Sequence, residues 1–333
     1  MCTRALWSSG GEPGRGIVVV GRNMDWMEDT RTNLWALPRG IARDGMTSGE
    51  TVRWTSKYGS VVAAMYDVVC VDGVNEKGLA VSGLYLTEAD YGERDERRPG
   101  LAISVYGQFL LDMFATVNEA VAWCETSDYQ VCSAALGSSG KPGTGHIALA
   151  DAEGDSAVIE FLHGAQRIHH GRQFTTLTNS PPYDEQLAAL PDYAGFGGAK
   201  PLPGTTQADD RFVRTAYYLA NLPATADERR AVASVLSVTR GAAQPFGTVD
   251  PARPNISATR WSTVADLTHR VYYFESTTSP NIVWVRLEAM DLGLGAPALK
   301  LDLVGDPDRV GDVSAAFAPG ETLAYLPAGG ATS

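Results

Sequence analysis

Residues 17 to 26 read IVVVGRNMDW, and the switch within these ten residues decides how the chain is folded. Ile17 to Val20 is a short β-branched run of the kind that fills a buried strand, and it breaks at Gly21 into polar residues. This reading puts Arg22 and Asp25 at or just past a strand end. Working outward, Ser60 to Tyr66, Val68 to Asp72 and Leu79 to Leu86 repeat the strand pattern, with the turn-like Asp72-Gly73 and Glu76-Lys77-Gly78 between them. The spacing leaves no room for crossover helices and predicts an antiparallel meander.

Residues 101 to 113, LAISVYGQFLLDM, predict a helix, and a capping box from Thr116 to Glu119 opens a second over VNEAVAWCE. HIALADAEGDSAVIEFL is a hairpin around Glu153-Gly154-Asp155, and QRIHHGRQFTTLTNS continues as strand up to Asn179-Ser180 before Pro181-Pro182. Helices follow over 209 to 221 and 225 to 238, the latter with a second box from Thr225 to Glu228. Strand returns in SATRWSTVADLTHRVYYFES and NIVWVRLEAM, around Pro280-Asn281. Runs of strands separated by pairs of helices make this α+β, a layered sandwich. The strand groups need one another to complete their sheets, so residues 1 to 333 are expected to form one domain, with Gly195 to Gly204 as a surface loop inside it.

Composition narrows the function. The 333 residues are 44% hydrophobic and 20% charged, which suits a globular chain able to bury its own core. A net charge of -12 would repel a phosphate backbone, and no Lys/Arg run offers an exception, so nucleic acid is not an expected partner. No apolar window is long enough to cross a membrane, and MCTRALWSSGGEPGRG lacks the apolar core of a signal peptide, so the expected address is the cytoplasm. Cys2, Cys70, Cys124 and Cys132 form no Cys-x-x-Cys pair and are expected to be reduced.

Several familiar chemistries drop out. GSSGKPGTG around Lys141 lacks the first glycine of a phosphate loop and has Pro142 where Ser or Thr is needed, so it reads as a loop before the hairpin. His146, His163, His169, His170 and His269 make no H-E-x-x-H and no ligand cluster with carboxylates at helical spacing, so no metal is expected. His169 and His170 are adjacent in a strand and point to opposite faces. No G-x-S-x-G nucleophile elbow occurs. The remaining unusual feature is Cys2. Removal of Met1 would leave one residue carrying both a thiol and a free α-amine, with reference pKa values of about 8.5 and about 7.7 to 8.0, so the nucleophile would bring its own base.

Such a site needs a cation for the thiolate, a carboxylate for the amine and donors for an oxyanion. Arg22, Asp25 and Asn179 are candidates at strand ends. Each also has an ordinary reading: Arg and Asp in a turn form surface ion pairs, and Asn before Ser-Pro-Pro forms turns. Five motifs in order, M-C-T-R at the start, G-R-N-M-D-W at 21 to 26, N-E-K-G-L-A-V-S-G-L-Y at 75 to 85, T-N-S-P at 178 to 181 and D-R-F-V-R at 210 to 214, resemble the choloylglycine hydrolase family. That family comprises the conjugated bile acid hydrolases and penicillin V acylases, which are N-terminal-nucleophile hydrolases.

The resemblance implies a four-layer αββα sandwich and a cofactor-free amidohydrolase. It implies Cys2 as nucleophile and, through its freed amine, proton shuttle. Arg22 would favour the thiolate, Asp25 would accept from the amine, and Asn179 would donate into the oxyanion hole with the backbone N–H of Tyr85. Arg211 would orient the site, with Arg214 structural. Trp26, Trp35 and Tyr85 are candidates for the acyl pocket, though core packing is the ordinary reading of each tryptophan. Position 85 is Tyr where the bile salt hydrolases carry Asn, and D-W-M-E-D-T-R-T-N-L-W-A-L-P-R-G at 25 to 40 is similar to the penicillin V acylase-like branch of Gram-negative bacteria, some of whose members cleave acyl homoserine lactones. The expected substrate is therefore a small linear carboxamide with an apolar or aryloxy acyl group, with a bile salt as the alternative. A non-catalytic binding relative is the competing class; Cys2, Asp25 and Asn179, whose loss would favour it, are all present. The resemblance also implies a homo-oligomer, a tetramer, although the segment from Asn179 to Arg211 is shorter than in the Gram-positive bile salt hydrolases.

Overall fold

The computed structural model describes residues 2–12, 14–134, 143–247, 257–279, 281–321 and 323–329. Strands β1 (Cys2–Ser8) and β2 (Val18–Trp26) are antiparallel and buried along all but their last residues. Side-chain alternation therefore divides them between two cores. Leu6, Val18, Val20 and Met24 enter a core between two sheets, whereas Ala5, Trp7 and Val19 enter another beneath helices. β2 does not break at Gly21 but runs on to Trp26, so Arg22 and Asp25 lie inside the strand. Gly21 serves the packing: a Cβ there would stand 2.7 Å from side-chain atoms of Val235 and Thr239 on the covering helix.

The chain continues through β3 (Asn33–Leu37), β4 (Ala42–Asp44), β5 (Arg53–Thr55), β6 (Ser60–Met65), β7 (Val69–Asn75), β8 (Ala80–Tyr85) and β9 (Gly100–Ala102). Helices α1 (Ile103–Met113) and α2 (Val117–Thr126) follow. Next come β10 (Gln130–Cys132), the hairpin of β11 (Gly145–Ala150) and β12 (Ser156–Leu162), then β13 (Ala165–His170) and β14 (Thr176–Leu177). Helices α3 (Tyr183–Ala189), α4 (Ala208–Ala220) and α5 (Glu228–Ala242) precede β15 (Ala258–Asp266), β16 (Val271–Ser276) and β17 (Ile282–Arg286). Short strands β18 (Leu299–Leu301), β19 (Gly311–Asp312) and β20 (Ala318–Pro319) finish the sheets.

One sheet has seven strands in the order β14-β1-β2-β15-β16-β17-β19, the other nine in the order β13-β12-β11-β8-β7-β6-β3-β18-β20. Pairing in both is antiparallel except between β17 and β19. The sheets face each other through Leu6, Val20, Leu34, Val61 and Val74. Val105 and Phe109 of α1 and Val121 of α2 cover the outside of the nine-stranded sheet, and Leu219 of α4 with Val232 and Val235 of α5 cover the outside of the seven-stranded one. This is the four-layer αββα sandwich.

Two further expectations need correction, and one element was unread. Residues 166 to 180 are not one strand: β13 edges the nine-stranded sheet and β14 the seven-stranded one, and the chain crosses at Gly171, whose φ of 149° suits glycine. α5 starts at Glu228 under Asp227, which accepts from Arg230 N, rather than under Thr225. β3 lies in a segment the sequence left unassigned. At α2, Thr116 accepts from Glu119 N as expected, while the Glu119 carboxylate accepts from Ala115 N rather than from Thr116 N. Of the Lys141 loop, residues 137–142 fall outside the described residues.

The N-E-K-G turn between β7 and β8 joins two layers. Asn75 is fully buried; its amide donates 2.8 Å to Leu111 O and to Phe114 O at the end of α1, and its carbonyl accepts from Lys77 N and Leu79 N. Gly78, at φ 87°, leaves room for Leu267 O, which a Cβ would approach to 2.7 Å. Asn75→Ala strands these groups and should destabilise the protein by about 3 kcal/mol, at roughly 1–3 kcal/mol per buried group left unpaired. Urea unfolding at an unchanged m-value measures this; a loss below about 1 kcal/mol would count against the joint.

Candidate active site

In the β1–β2 register Cys2 lies opposite Met24 and Arg4 opposite Arg22, so all four side chains point between the sheets. The Cys2 Sγ is buried, 3.6 Å from Arg22 Nη2 and 3.7 Å from Met24 Sδ. Arg22 Nη2 also donates 2.7 Å to Gly83 O on β8, and the guanidinium stacks 4.8 Å over Trp261. Its Nε and Nη1 are buried without a hydrogen-bond partner among the described residues. Across the gap, Asp72 accepts from Ser82 Oγ at 2.7 Å, Thr263 Oγ1 at 3.0 Å and Tyr272 OH at 2.6 Å. Burial pushes the Asp72 carboxyl up from its usual range, and the charge of Arg22 opposes that shift.

The second group lies at the start of β1. Asn179, just beyond β14, accepts at Oδ1 from Cys2 N at 2.5 Å and from Arg211 Nη2 at 2.9 Å. Arg211 Nη2 can only donate, which fixes the amide's orientation and turns Nδ2 to Tyr85 O at 2.6 Å. The expectation has Asn179 and the Tyr85 N–H donate together to an oxyanion; here the Tyr85 carbonyl engages one of the two Asn179 amide protons. Arg211, in the first turns of α4, donates from Nη1 to Cys2 O at 2.6 Å and Thr3 Oγ1 at 2.5 Å. Asp25 occupies the helix-facing side of β2, with Oδ2 3.7 Å from Arg211 Nη1 and 2.8 Å from Gln244 Nε2, and Oδ1 2.6 Å from Thr259 Oγ1. Burial lowers the Arg211 pKa, and Asp25 offsets part of this.

Trp26 and Tyr85 meet edge to face beside this group, ring centres 6.1 Å apart. Trp35 does not join them. Leu34 and Ala36 point between the sheets, so the alternate residue Trp35 is turned into the helix-covered core, where its Nε1 binds Asp67. Sequence reasoning missed Met24, Asp72, Gln244 and Thr259. Met24 was recoverable, since it stands two residues from Arg22 on the same strand face; Gln244 and Thr259 are supplied by elements more than 200 residues away. One histidine does share a group with carboxylates: His269 lies with Asp266 and Glu228, near enough to hold an ion together. That group is at the other end of β15 from Thr259, seven residues or about 23 Å along the strand. His169 and His170 do take opposite faces, His169 against Phe174 and Tyr183 and His170 on Asp155.

Two sheets between helix layers, with a cysteine at the head of the interior strand β1, make this the fold of the N-terminal-nucleophile hydrolases. The family described as linear amide C–N hydrolases, choloylglycine hydrolase family, matches residues 2–305, and the chain belongs to it. It is a hydrolase of carbon–nitrogen bonds in linear amides. It is 37% identical to the penicillin V acylase of Pectobacterium atrosepticum, over 97% of this chain and 92% of that one. The bile salt hydrolase/transferase of Lactiplantibacillus plantarum is 24% identical over 65% of this chain and 72% of its own length. Among solved structures, penicillin V acylase from Agrobacterium tumefaciens superposes with a TM-score of 0.89 at 41% identity, covering 98% of this chain and 100% of that one. A conjugated bile acid hydrolase from Clostridium perfringens, at 19% identity and a TM-score of 0.74 over 90% and 96% of the two chains, shares the fold.

All four cysteines are free, and burial pushes the thiols of Cys70, Cys124 and Cys132 up. Cys2 alone of the four has an arginine nitrogen 3.6 Å from its sulfur. Iodoacetamide at neutral pH should therefore label Cys2 first, and Arg22→Gln should slow that labelling by about tenfold. Peptide mapping against time checks both; an unchanged rate in the variant would remove Arg22 from the sulfur's chemistry.

Proposed function

We propose that the chain, as one domain with Met1 removed, hydrolyses a linear amide whose acyl part is an aryloxyacetyl or slim apolar group, as a penicillin V acylase does. The observation that carries this reading is the joint setting of Cys2: its nitrogen 2.5 Å from Asn179 Oδ1 and its sulfur 3.6 Å from Arg22, at one strand end. The α-amine takes the thiol proton as Sγ attacks the amide carbon. The remaining Asn179 Nδ2 proton, with the Tyr85 N–H, meets the developing oxyanion. Collapse expels the amine, which leaves with the proton held by the α-amine, and a thioester remains on Cys2. Water, deprotonated by the same α-amine, attacks the thioester and releases the acid and the thiol. Asp25 and Arg211 hold the strand end on which the amine sits. The thiol and amine supply nucleophile and base, so the reading calls for no cofactor.

Trp26 and Tyr85, packed edge to face, support the choice of acyl group, because a ring at position 85 narrows the space that a steroid would need. The resemblance to penicillin V acylases at 37% and 41% identity supports the same choice. A cytoplasmic enzyme working as a homo-oligomer, a tetramer by resemblance, completes the proposal; no described helix is long and apolar enough to cross a membrane.

Two measurements test it. Intact mass of the active protein should correspond to loss of Met1 alone, and full activity in a form retaining Met1 would sink the amine's role. In a hydrolysis panel, kcat/KM for a phenoxyacetyl amide should exceed that for glycocholate by at least about tenfold, roughly 1.4 kcal/mol of transition-state selectivity. Tyr85→Asn should narrow the gap. A wild-type preference of that size for glycocholate would reverse the choice of substrate and leave the Cys2 chemistry standing.

A further inference from the structure

His146 on β11 and Glu160 on β12 are both buried, and the chemistry above uses neither. His146 Nε2 lies 2.9 Å from Thr178 O and Nδ1 lies 2.9 Å from Glu160 Oε1. A backbone carbonyl only accepts, so Nε2 carries a proton. The Glu160 carboxylate also accepts from Tyr183 N, at 3.2 Å on Oε1 and 3.1 Å on Oε2. Burial alone would raise Glu160, but the hydrogen bond and charge of His146 outweigh it and hold the carboxyl below its ordinary value. Nδ1 faces the Glu160 carboxylate, so the ring is gripped between that carboxylate on one side and the Thr178 carbonyl on the other. Charge-assisted bonds of this kind are roughly twice as strong as neutral ones.

The far end of this pair is the peptide that carries Asn179. Thr178 O belongs to the amide plane joining Thr178 to Asn179, and Gln186 holds the next stretch through Asn179 O and Pro181 O, both at 2.6 Å. β11, which carries His146, is hydrogen-bonded to β8, which ends at Tyr85, the residue whose carbonyl takes the Asn179 amide. A segment leaving the seven-stranded sheet is thereby fastened to the nine-stranded one beside the point where Asn179 must act.

We infer that His146, oriented by Glu160, is a positioning residue for amide hydrolysis: by gripping Thr178 O it aims the Asn179 carboxamide at the Cys2 nitrogen and the Tyr85 backbone. The inference rests on the reading of Cys2 and Asn179 given above. His146 acts through Asn179 and never touches the substrate.

A double-mutant cycle tests it on the intact, Met1-free enzyme with a phenoxyacetyl amide. His146→Phe should lower kcat by about thirtyfold with KM within about threefold, the pattern of a lost transition-state contact. Because Arg22 and Met24 are untouched, iodoacetamide should label Cys2 at the wild-type rate. His146→Gln, which can still donate to Thr178 O, should recover kcat to within about threefold of wild type. If His146 works through Asn179, the double variant of His146→Phe with Asn179→Ala should fall no more than about twofold below Asn179→Ala alone. Multiplicative losses, a change in KM alone or an unaltered kcat in His146→Phe would each overturn the inference and leave the site reading intact. An unaltered kcat in Asn179→Ala would overturn the site reading and this inference together. Should His146→Phe fail to fold, the same cycle is run with His146→Asn, whose shorter amide cannot reach Thr178 O, and the same outcomes decide.

Discussion

The register that sets Cys2 opposite Met24 is the constraint on which the site depends. Both faces of β1 and β2 are buried, so a slip of one residue would turn Cys2 and Arg22 toward the helices and push Ala5, Trp7 and Val19 between the sheets. Two separate hydrophobic cores therefore oppose the slip. The position of the sulfur is fixed by residues up to five places along the strand that have no part in its chemistry.

Three arginines, Arg4, Arg22 and Arg211, are the largest fully buried side chains, and they surround the same two strands. Carboxylates supply few of their contacts. Arg4 donates to Phe174 O, Leu149 O and Ser156 Oγ, Arg22 to Gly83 O, and Arg211 to Cys2 O, Thr3 Oγ1, Thr206 O and Asn179 Oδ1. A guanidinium suits this because its planar fork serves several carbonyls at once. Burial still tells: it brings the pKa of Arg4 down to about 10. The result around Cys2 is a set of fixed positive groups in a water-poor interior, where charge on a reacting atom is stabilised without reorganisation.

Layer order, most strand positions and the residues around Cys2 were legible because they follow from local pattern and from motif order. Arg22 and Asp25 were misplaced at a strand end because polarity normally marks where burial stops; here the strand continues, and the polar residues find buried partners in Gly83, Gln244 and Thr259. Trp35 was misassigned because aromatic character says nothing of which face a side chain takes, and β3 itself was unread. His146 was set aside as a non-ligand because its two acceptors, Glu160 and Thr178 O, are 14 and 32 residues away. Contacts of that kind exist only once the sheets have formed.

The Asn75 carboxamide ties the last carbonyls of α1 to the turn that launches β8. β8 in turn supplies Gly83 O to Arg22 and Tyr85 O to Asn179. Helix α1 and the inner wall around the sulfur are thus linked through one buried side chain and one strand. A helix layer on the far side of the nine-stranded sheet from Cys2 therefore has a hydrogen-bonded route, through Asn75 and β8, to the groups that hold Arg22 and Asn179.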